Sequence, residues 1–394
     1  MNDVFAIDGS GAGDFLAESS SAEMDFSIKV GRDILLDALK TISGVVDSSQ
    51  VLQILSHIKL TAIDDTLHLV ATDSEVEMSC SVPMLEKVHA KATVAVPGRK
   101  LLDICRSLPS SSAVNLAVES GWAKIIGSGN IEFTLAILPI DGFPVIDIHQ
   151  ESKVFKICES DLSDLLQASS FAMAQHDVRH FLNGMMMSFS ASSLKAIATD
   201  GHRLAIDVAN LIEGGSGEDK ALVPRKAILE LARLLDSRDS EVVITLAPQH
   251  ISFATERFSL STCLLEGSYP DCSKLIPSLD GAKAVVAKSE FKSALGRAAV
   301  LAKEKHHGVR LSFAAGSMQI SSHNSDNEKT HEVVSISYSA EDMIIAFNIA
   351  YLADVMNVIK SEQVEFILSG AQNSILIKCG NESEALYVVM PMTI

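Results

Sequence analysis

The sequence is short of aromatic residues. They make up 5% of 394 positions, with one Trp and four Tyr. That argues against a platform that stacks the bases of a single strand. Cysteine is scarce too: Cys80, Cys105, Cys158, Cys263, Cys272 and Cys379 are scattered, with no CxxC pair. Such spacing suggests neither a zinc site nor a disulfide framework; it predicts buried free thiols in a reducing cytoplasm. A basic surplus is missing, because 32 Lys and Arg face 50 Asp and Glu, for a net charge of −18. This argues against a protein whose whole surface grips nucleic acid. No apolar run approaches the roughly 20 residues that cross a bilayer. The first residues carry no basic start and no sustained apolar stretch, so no secretory signal is expected.

What is present is a long, apolar chain. Hydrophobic residues reach 47%, enough for several cores. At about 100–200 residues per domain, the length suggests two to four domains. Residues 1–25, MNDVFAIDGSGAGDFLAESSSAEMD, hold six acidic residues and no basic one. They are expected to form a disordered acidic arm. The GSGAG within it has no preceding strand and no following Lys-Ser/Thr, as a phosphate loop requires.

The chain repeats itself at a period of roughly 125 residues. FSIKVGRDILLDALKTIS (26–43), VFKICESDLSDLLQASSFAM (154–173) and AVVAKSEFKSALGRAAVLAK (284–303) each read as a short strand and then an amphipathic helix. Further along each unit a second strand–helix pair follows: VAVPGRKLLDICRSLP (94–109), ALVPRKAILELARLLD (221–236) and IAFNIAYLADVMNVIKS (345–361). Pro97 and Pro224 suit the first turn of a helix, where a missing N–H costs nothing. Alternating segments such as LHLVATDSEVEMSCSV and LKAIATDGHRLAIDV fill the space between as strands. The pattern predicts an α+β chain of three repeated domains, each with two helices against antiparallel sheets. Its expected divisions are the arm 1–25, then 26–150, 151–279 and 280–394.

Two features bear on chemistry. The six helix candidates (31–44, 97–108, 159–171, 224–238, 288–305, 348–361) carry 15 basic and 11 acidic residues, against 17 and 39 elsewhere. This is either the ordinary polar dress of helices or an acidic body whose helices turn toward a polyanion. The second feature is HDVRH (176–180), one methylene short of the HExxH of zinc hydrolases. On a helix, His176 and His180 would share a face and reach one metal. Against that reading, Asp177 is shorter than the usual Glu and no third ligand is evident; a surface loop is the alternative.

Several stretches together resemble a known family. FLNGMMM (181–187), ATDGHRLA (198–205), VPRKAILEL (223–231), EGSYPDCSKLIP (266–277), HGVRL (307–311) and YVVMPM (387–392) are similar to the bacterial DNA polymerase III beta subunits, the sliding clamps. The likeness runs in order from about Phe26 to Ile394. The acidic arm has no counterpart. The resemblance implies a head-to-tail homodimer whose six domains close into a ring, with helices lining the hole. Such a ring encircles double-stranded DNA without sequence preference and tethers the replicative polymerase. It implies no catalytic residue, no metal, no cofactor, no membrane and a cytoplasmic location.

The resemblance also implies particular sites. Short linear peptides from the polymerase, the clamp loader and repair proteins would dock in an apolar groove between the second and third domains. The matching positions from the second domain are Leu182, Thr199, Gly201, His202, Arg203 and Leu204, with Pro270, Lys274 and Leu275 from its closing loop. The third domain adds Asn348, Tyr351 and Ser374, and the tail adds Val388, Met390, Pro391 and Met392. His202 and Arg203 would supply polar orientation at the rim. On their own, ATDGHRLA reads rather as a strand ending in a turn at Asp200-Gly201, and VVMPM as an edge strand ended by Pro391. The 175–181 segment would be a DNA-touching loop through His176, His180 and Phe181. Phe133 and Leu135 in the first domain and Val300 and Leu301 in the third would form the dimer seam. There are departures. Lys274 and Thr393 stand where Arg is frequent, and Ser49 where some clamps place a DNA-facing Arg. Asn130 and Glu132 stand where basic residues occur. A metallohydrolase centred on HDVRH, and a clamp-like scaffold that does not close on DNA, remain as competing readings.

Overall fold

Each of the three repeats folds as the same series of ten principal elements. The computed structural model describes residues 26–46, 52–128, 131–146, 151–236, 238–302, 307–380 and 384–393. The acidic arm, Ser49, Asn130 and His306 lie outside these. Unit 1 contains β1 (Phe26–Gly31), α1 (Arg32–Ile42), β2 (His57–Ile63), β3 (Thr66–Thr72), β4 (Val76–Pro83), β5 (Ala92–Pro97), α2 (Gly98–Ser107), β6 (Ala113–Glu119), β7 (Trp122–Ile126) and β8 (Glu132–Ala136). Unit 2 contains β9 (Lys153–Cys158), α3 (Glu159–Ser169), β10 (Gly184–Phe189), β11 (Ser193–Thr199), β12 (Arg203–Asn210), β13 (Asp219–Pro224), α4 (Arg225–Leu234), β14 (Glu241–Leu246), β15 (His250–Ala254) and β16 (Ser259–Cys263). Unit 3 contains β17 (Ala282–Ala287), α5 (Lys288–Ala302), β18 (Gly308–Ala314), β19 (Ser317–His323), β20 (Lys329–Ser337), β21 (Met343–Asn348), α6 (Ile349–Val358), β22 (Gln363–Leu368), β23 (Ile375–Cys379) and β24 (Leu386–Val389).

The local causes are visible in the sequence. β3 alternates, with Leu67 and Leu69 buried and Thr66, His68 and Val70 less so, as a sheet with one face on a core requires. α4 buries Ala227, Ile228, Leu231 and Leu234, the stripe of an amphipathic helix. Pro97 and Pro224 sit one residue earlier than expected. They are the last strand residues and the helix caps, and the first turns begin at Gly98 and Arg225. The hairpin between the third and fourth strands is closed alike in all three units. Asp73 accepts from the Val76 amide at 2.7 Å, Asp200 from the Arg203 amide at 3.0 Å and Asn324 from the Glu328 amide at 2.9 Å. These are side chains mimicking a turn carbonyl.

In each unit one set of four strands runs fifth–second–third–fourth and the other first–sixth–seventh–eighth, all antiparallel. The helix pairs α1–α2, α3–α4 and α5–α6 pack together, and the first helix of each pair rests on the third and fourth strands. Units join through strands. β4 of unit 1 pairs with β16 of unit 2, and β12 of unit 2 with β24 of unit 3. The fourth strand of one unit thus meets the eighth of the next, twice. Within unit 3, β17 also pairs with the end of β20 through Val285–Ser337 and Val286–Ile336, so the sheets have 4, 8 and 12 strands. Lys226 on α4 reaches Asp73 as an ion pair, and Arg233 donates to the Thr41 carbonyl at 3.0 Å, so the first junction is also tied on its helix side.

Candidate functional site

The second junction carries most of the anticipated groove. Arg203 lies opposite Val389, Leu204 opposite Val388 and Ile206 opposite Leu386. Because side chains alternate, Ala205, Tyr387 and Val389 enter the main core while Leu204, Ile206 and Val388 turn the other way. There they join Cys272, Ile367 and Leu376 in a second apolar cluster, separate from the large core. Tyr269, in the loop that closes unit 2, leans on this cluster, and its hydroxyl donates to the Ile197 carbonyl at 3.3 Å. Burial pushes the Tyr269 hydroxyl well above its ordinary range.

The rim is built by a turn and a tail. Gly201 has φ +89°, a conformation glycine adopts without a steric cost, and its amide donates to Thr199 Oγ1 at 3.1 Å. Thr199 in turn donates to the Arg203 carbonyl at 2.6 Å. The tail bridges two units: the Met390 amide donates to the His202 carbonyl at 2.9 Å and the Met392 amide to the Ala346 carbonyl at 2.8 Å. Met390 is exposed, with Pro391 and Met392 half-buried beside it. Asn348 caps α6 through the Ala350 amide at 2.9 Å, and Tyr351 follows in the first turn.

Arg203 corrects an expectation. It does not project from the rim, since its side chain is only 12% exposed. Its guanidinium donates to Asp200 Oδ2 at 3.0 Å, to the Phe171 carbonyl at 2.7 Å and to Asp354 on α6. It lies 5.2 Å from the Phe171 ring and 4.6 Å from that of Tyr351. Arg203 is therefore a pin between units 2 and 3. His202 remains the exposed polar group, stacked 6.3 Å from Tyr351. Asp200, Asp354 and Phe171 were not anticipated, although Asp354 falls one helical turn after Tyr351.

Anticipated residues line two separate cavities. Pro270 edges an open cleft of about 880 Å³ on unit 2, together with Met186, Ile197 and Tyr269. His202, Arg203 and Tyr351 line a separate depression of about 470 Å³ with His176 and Asp177. Leu182 is buried, Leu275 and Lys274 are exposed, and Ser374 is half-buried near the β23 end of the cluster. Lys274 stands 3.4 Å from Asp271.

HDVRH is a loop. His176 has φ +57°, and only 180–182 form a single 3-10 turn, so the two imidazoles do not share a helical face. Asp177 is committed to Arg179, which reaches its two oxygens at 3.0 and 2.9 Å. That bond holds the Asp177 carboxyl down at about 2. Asn183 locks the loop by pairing with the Asp177 backbone in both directions at 2.9 Å. Among the described residues no group of three His, Cys, Asp or Glu is placed to hold a metal. His176, Val178 and His180 are exposed, with Phe181 half-buried beneath them.

The residues anticipated at a seam fall on one edge strand and one helix. Phe133 packs partly against the core and Leu135 is buried in it, both on β8. Val300 is 72% exposed near the end of α5, beside half-buried Leu301. None of the six cysteines is in a disulfide, and burial pushes Cys80 and Cys105 up to about 12. No described helix is long and apolar enough to cross a membrane.

Comparison with known proteins covers the same residues. Family models for the N-terminal, central and C-terminal domains of the DNA polymerase III beta subunit match residues 24–147, 156–271 and 273–393. The beta sliding clamp of Pseudomonas aeruginosa is 39% identical over 370 residues, covering 94% of this chain and 100% of that protein. That of Escherichia coli is 34% identical over 370 residues, with the same coverage. Among solved structures, the P. aeruginosa DNA polymerase III subunit beta superposes with a TM-score of 0.89 at 36% identity, covering 94% of this chain and 100% of that one. A Bartonella birtlesii sliding clamp bound to griselimycin gives 0.90 at 30%, with the same coverage. A C. crescentus beta sliding clamp with PEG bound to a putative beta-motif tethering region gives 0.89 at 28%, also covering 94% and 100%.

Proposed function

This chain belongs to the DNA polymerase III beta subunit family, the beta sliding clamps, and from that premise we propose that it closes head to tail with a second copy into a ring around duplex DNA. As a clamp it is a processivity factor of DNA polymerase III and catalyses no reaction itself. One observation carries the ring. The chain twice joins a fourth strand to the eighth strand of the following unit. Among the described residues, the eighth strand of unit 1, β8, and the fourth of unit 3, β20, ahead of the two residues that pair with β17, have no strand on their outer edge, and they are complementary ends of one such junction. A head-to-tail contact either closes or grows into a filament, and closure also removes both open strand edges. Phe133 and Leu135 lie on β8, and Val300 and Leu301 on α5, the helix that packs against β20.

The clamp domains on this reading are 26–150, 151–279 and 280–394, preceded by the acidic arm. The apolar cluster between Leu204 and Val388, with His202, Tyr351 and the 390–392 tail at its edge, receives short apolar peptides from the polymerase, the clamp loader and repair proteins. Met390 and Met392 give the edge an adaptable surface. His176, His180 and Phe181 touch the duplex at the ring face. The body is acidic, so retention comes from the closed ring, and phosphate contacts stay weak enough to slide. The place of work is the bacterial cytoplasm.

The test is retention on DNA of two shapes. The protein is loaded onto a nicked circle by clamp loader and ATP, half the sample is cut open, and bound protein is counted after gel filtration. Retention on the circle with loss from the linear form is expected. Equal retention on both would mean ordinary site binding and remove the ring.

A further inference from the structure

We infer that the seam between two copies has a fixed register that sets His331 of one against Glu132 of the other, making ring stability pH-dependent. This deepens the ring reading and rests on it. Equivalent positions are fixed by strand registers alone. From the residue before the second helix (Pro97, Pro224, Asn348), three successive antiparallel pairings lead into the fourth strand. They make Ser79, Ile206 and His331 equivalent. From the residue before the first helix (Gly31, Cys158, Ala287), the pairings lead into the eighth strand and make Glu132, Ser259 and Leu386 equivalent. At the first junction Ser79 lies opposite Ser259; at the second Ile206 lies opposite Leu386. The third member of that series is His331 opposite Glu132.

The faces agree with this register. Buried Met78–Leu260 and Ala205–Tyr387 flank the two existing pairs on the core side. The corresponding Thr330 and Phe133 are both half-buried, while His331 and Glu132 are both exposed. The charges also agree. On the outer face His331 has Lys329 two residues before it and Ser321 opposite on β19. Arg310 on β18 lies beyond Ser321, and His323 lies opposite Lys329. These line one depression with no acidic member. On the helix side Glu332 is held by Arg297 of α5. On β8, Glu132 lies opposite Ile126 and near Lys124, which is itself bonded to Glu119 at 2.8 Å. A basic edge thus meets a carboxylate.

A cationic imidazole opposite a carboxylate attracts it, and a neutral one does so less. Imidazoles ordinarily take up their proton near pH 6.5. An imidazole that gains a carboxylate partner holds its proton more firmly, so the seam is tightest at low pH and loosens as pH rises. An exposed cross-strand pair supports about a threefold effect, and two seams about tenfold for the ring.

The experiment measures the dimer dissociation constant of the full chain at pH 6 and pH 8 by mass photometry. Glu132→Gln, His331→Gln and the double variant are run beside it. Both residues are exposed, so the variants keep the fold. The wild-type ratio of roughly ten should fall toward the background in each single variant and no further in the double. Full wild-type dependence in both singles would overturn the pairing while leaving the ring. Register is read separately: Glu132→Cys with His331→Cys should cross-link two chains under mild oxidation, and Glu132→Cys with Val333→Cys should not. Cross-linking only through position 333 would overturn the register, whereas a monomer at every pH would overturn the ring and this pairing together.

Discussion

The guanidinium of Arg203 lies 4.6 Å from the ring of Tyr351, joining the last turn of one unit's hairpin to the first turn of the next unit's second helix. Asp200 and Asp354 neutralise it from both sides of the junction. Arg203→Ala strips both carboxylates of their partner and should cost about 2 kcal/mol, since Asp354 remains partly solvated. Arg203→Lys keeps the charge without the planar fork and should cost about half that. Urea unfolding of the three proteins gives the comparison. Equal stability of Arg203→Ala and wild type would mean that the pin contributes nothing.

The loop carrying His176 and His180 predicts a second result. Asp177 is depressed to about 2, chiefly by its bond to Arg179. A depressed carboxylate contributes its stabilisation above the ordinary carboxylate range and loses it only as pH falls toward 2. The loop scaffold is therefore constant between pH 5 and 8. Replacing both histidines by Ala should weaken low-salt binding to a short duplex about threefold. Fluorescence anisotropy reads it, and an unchanged affinity would remove these residues from the DNA contact.

The fold was legible in the sequence because its signals are local. The strand–helix pairs, the Asp-Gly turn at Asp200 and the alternation through Leu204 all act within a few residues. Arg203 was misplaced because its partners lie far away in the chain: Phe171 is 32 residues off and Asp354 is 151. A charged residue beside a turn reads as a rim until those partners are known. Spacing alone left HDVRH open between a helix and a surface loop for a related reason. The reciprocal Asn183–Asp177 bonds and the positive φ of His176 decide the conformation, and helical spacing carries neither.

Asp207 on β12 predicts a stability change of the opposite sign to Asp177. Burial, with Asp164 and Glu384 nearby, pushes its carboxyl up to about 6. A raised carboxylate leaves the fold most stable below the ordinary range, and that advantage is lost as pH rises through 6. Asp207→Asn should therefore be more stable than wild type at pH 8 by about 1 kcal/mol, after discounting for its remaining solvent contact. The difference should vanish near pH 4. Denaturation midpoints at the two pH values check this, and a variant less stable at pH 8 would show that the carboxylate is held by something favourable.

The tail separates the groove from the ring. Met390 and Met392 are tied by backbone bonds to His202 in unit 2 and Ala346 in unit 3. β24 ends at Val389, so the strand that joins the units stays whole when the chain stops there. Removing 390–394 should leave dimer mass and fold unchanged. It deletes the apolar edge at Met390 and Met392, where burying two such side chains contributes about 2–4 kcal/mol in total. Loss of that edge should lower affinity for a short Leu- and Phe-containing peptide by at least tenfold. Titration of a fluorescent peptide, with solution mass measured alongside, gives both numbers. Unchanged affinity would move the peptide site to the cleft beside Pro270, where Met186, Ile197 and Tyr269 supply apolar walls that the tail does not touch.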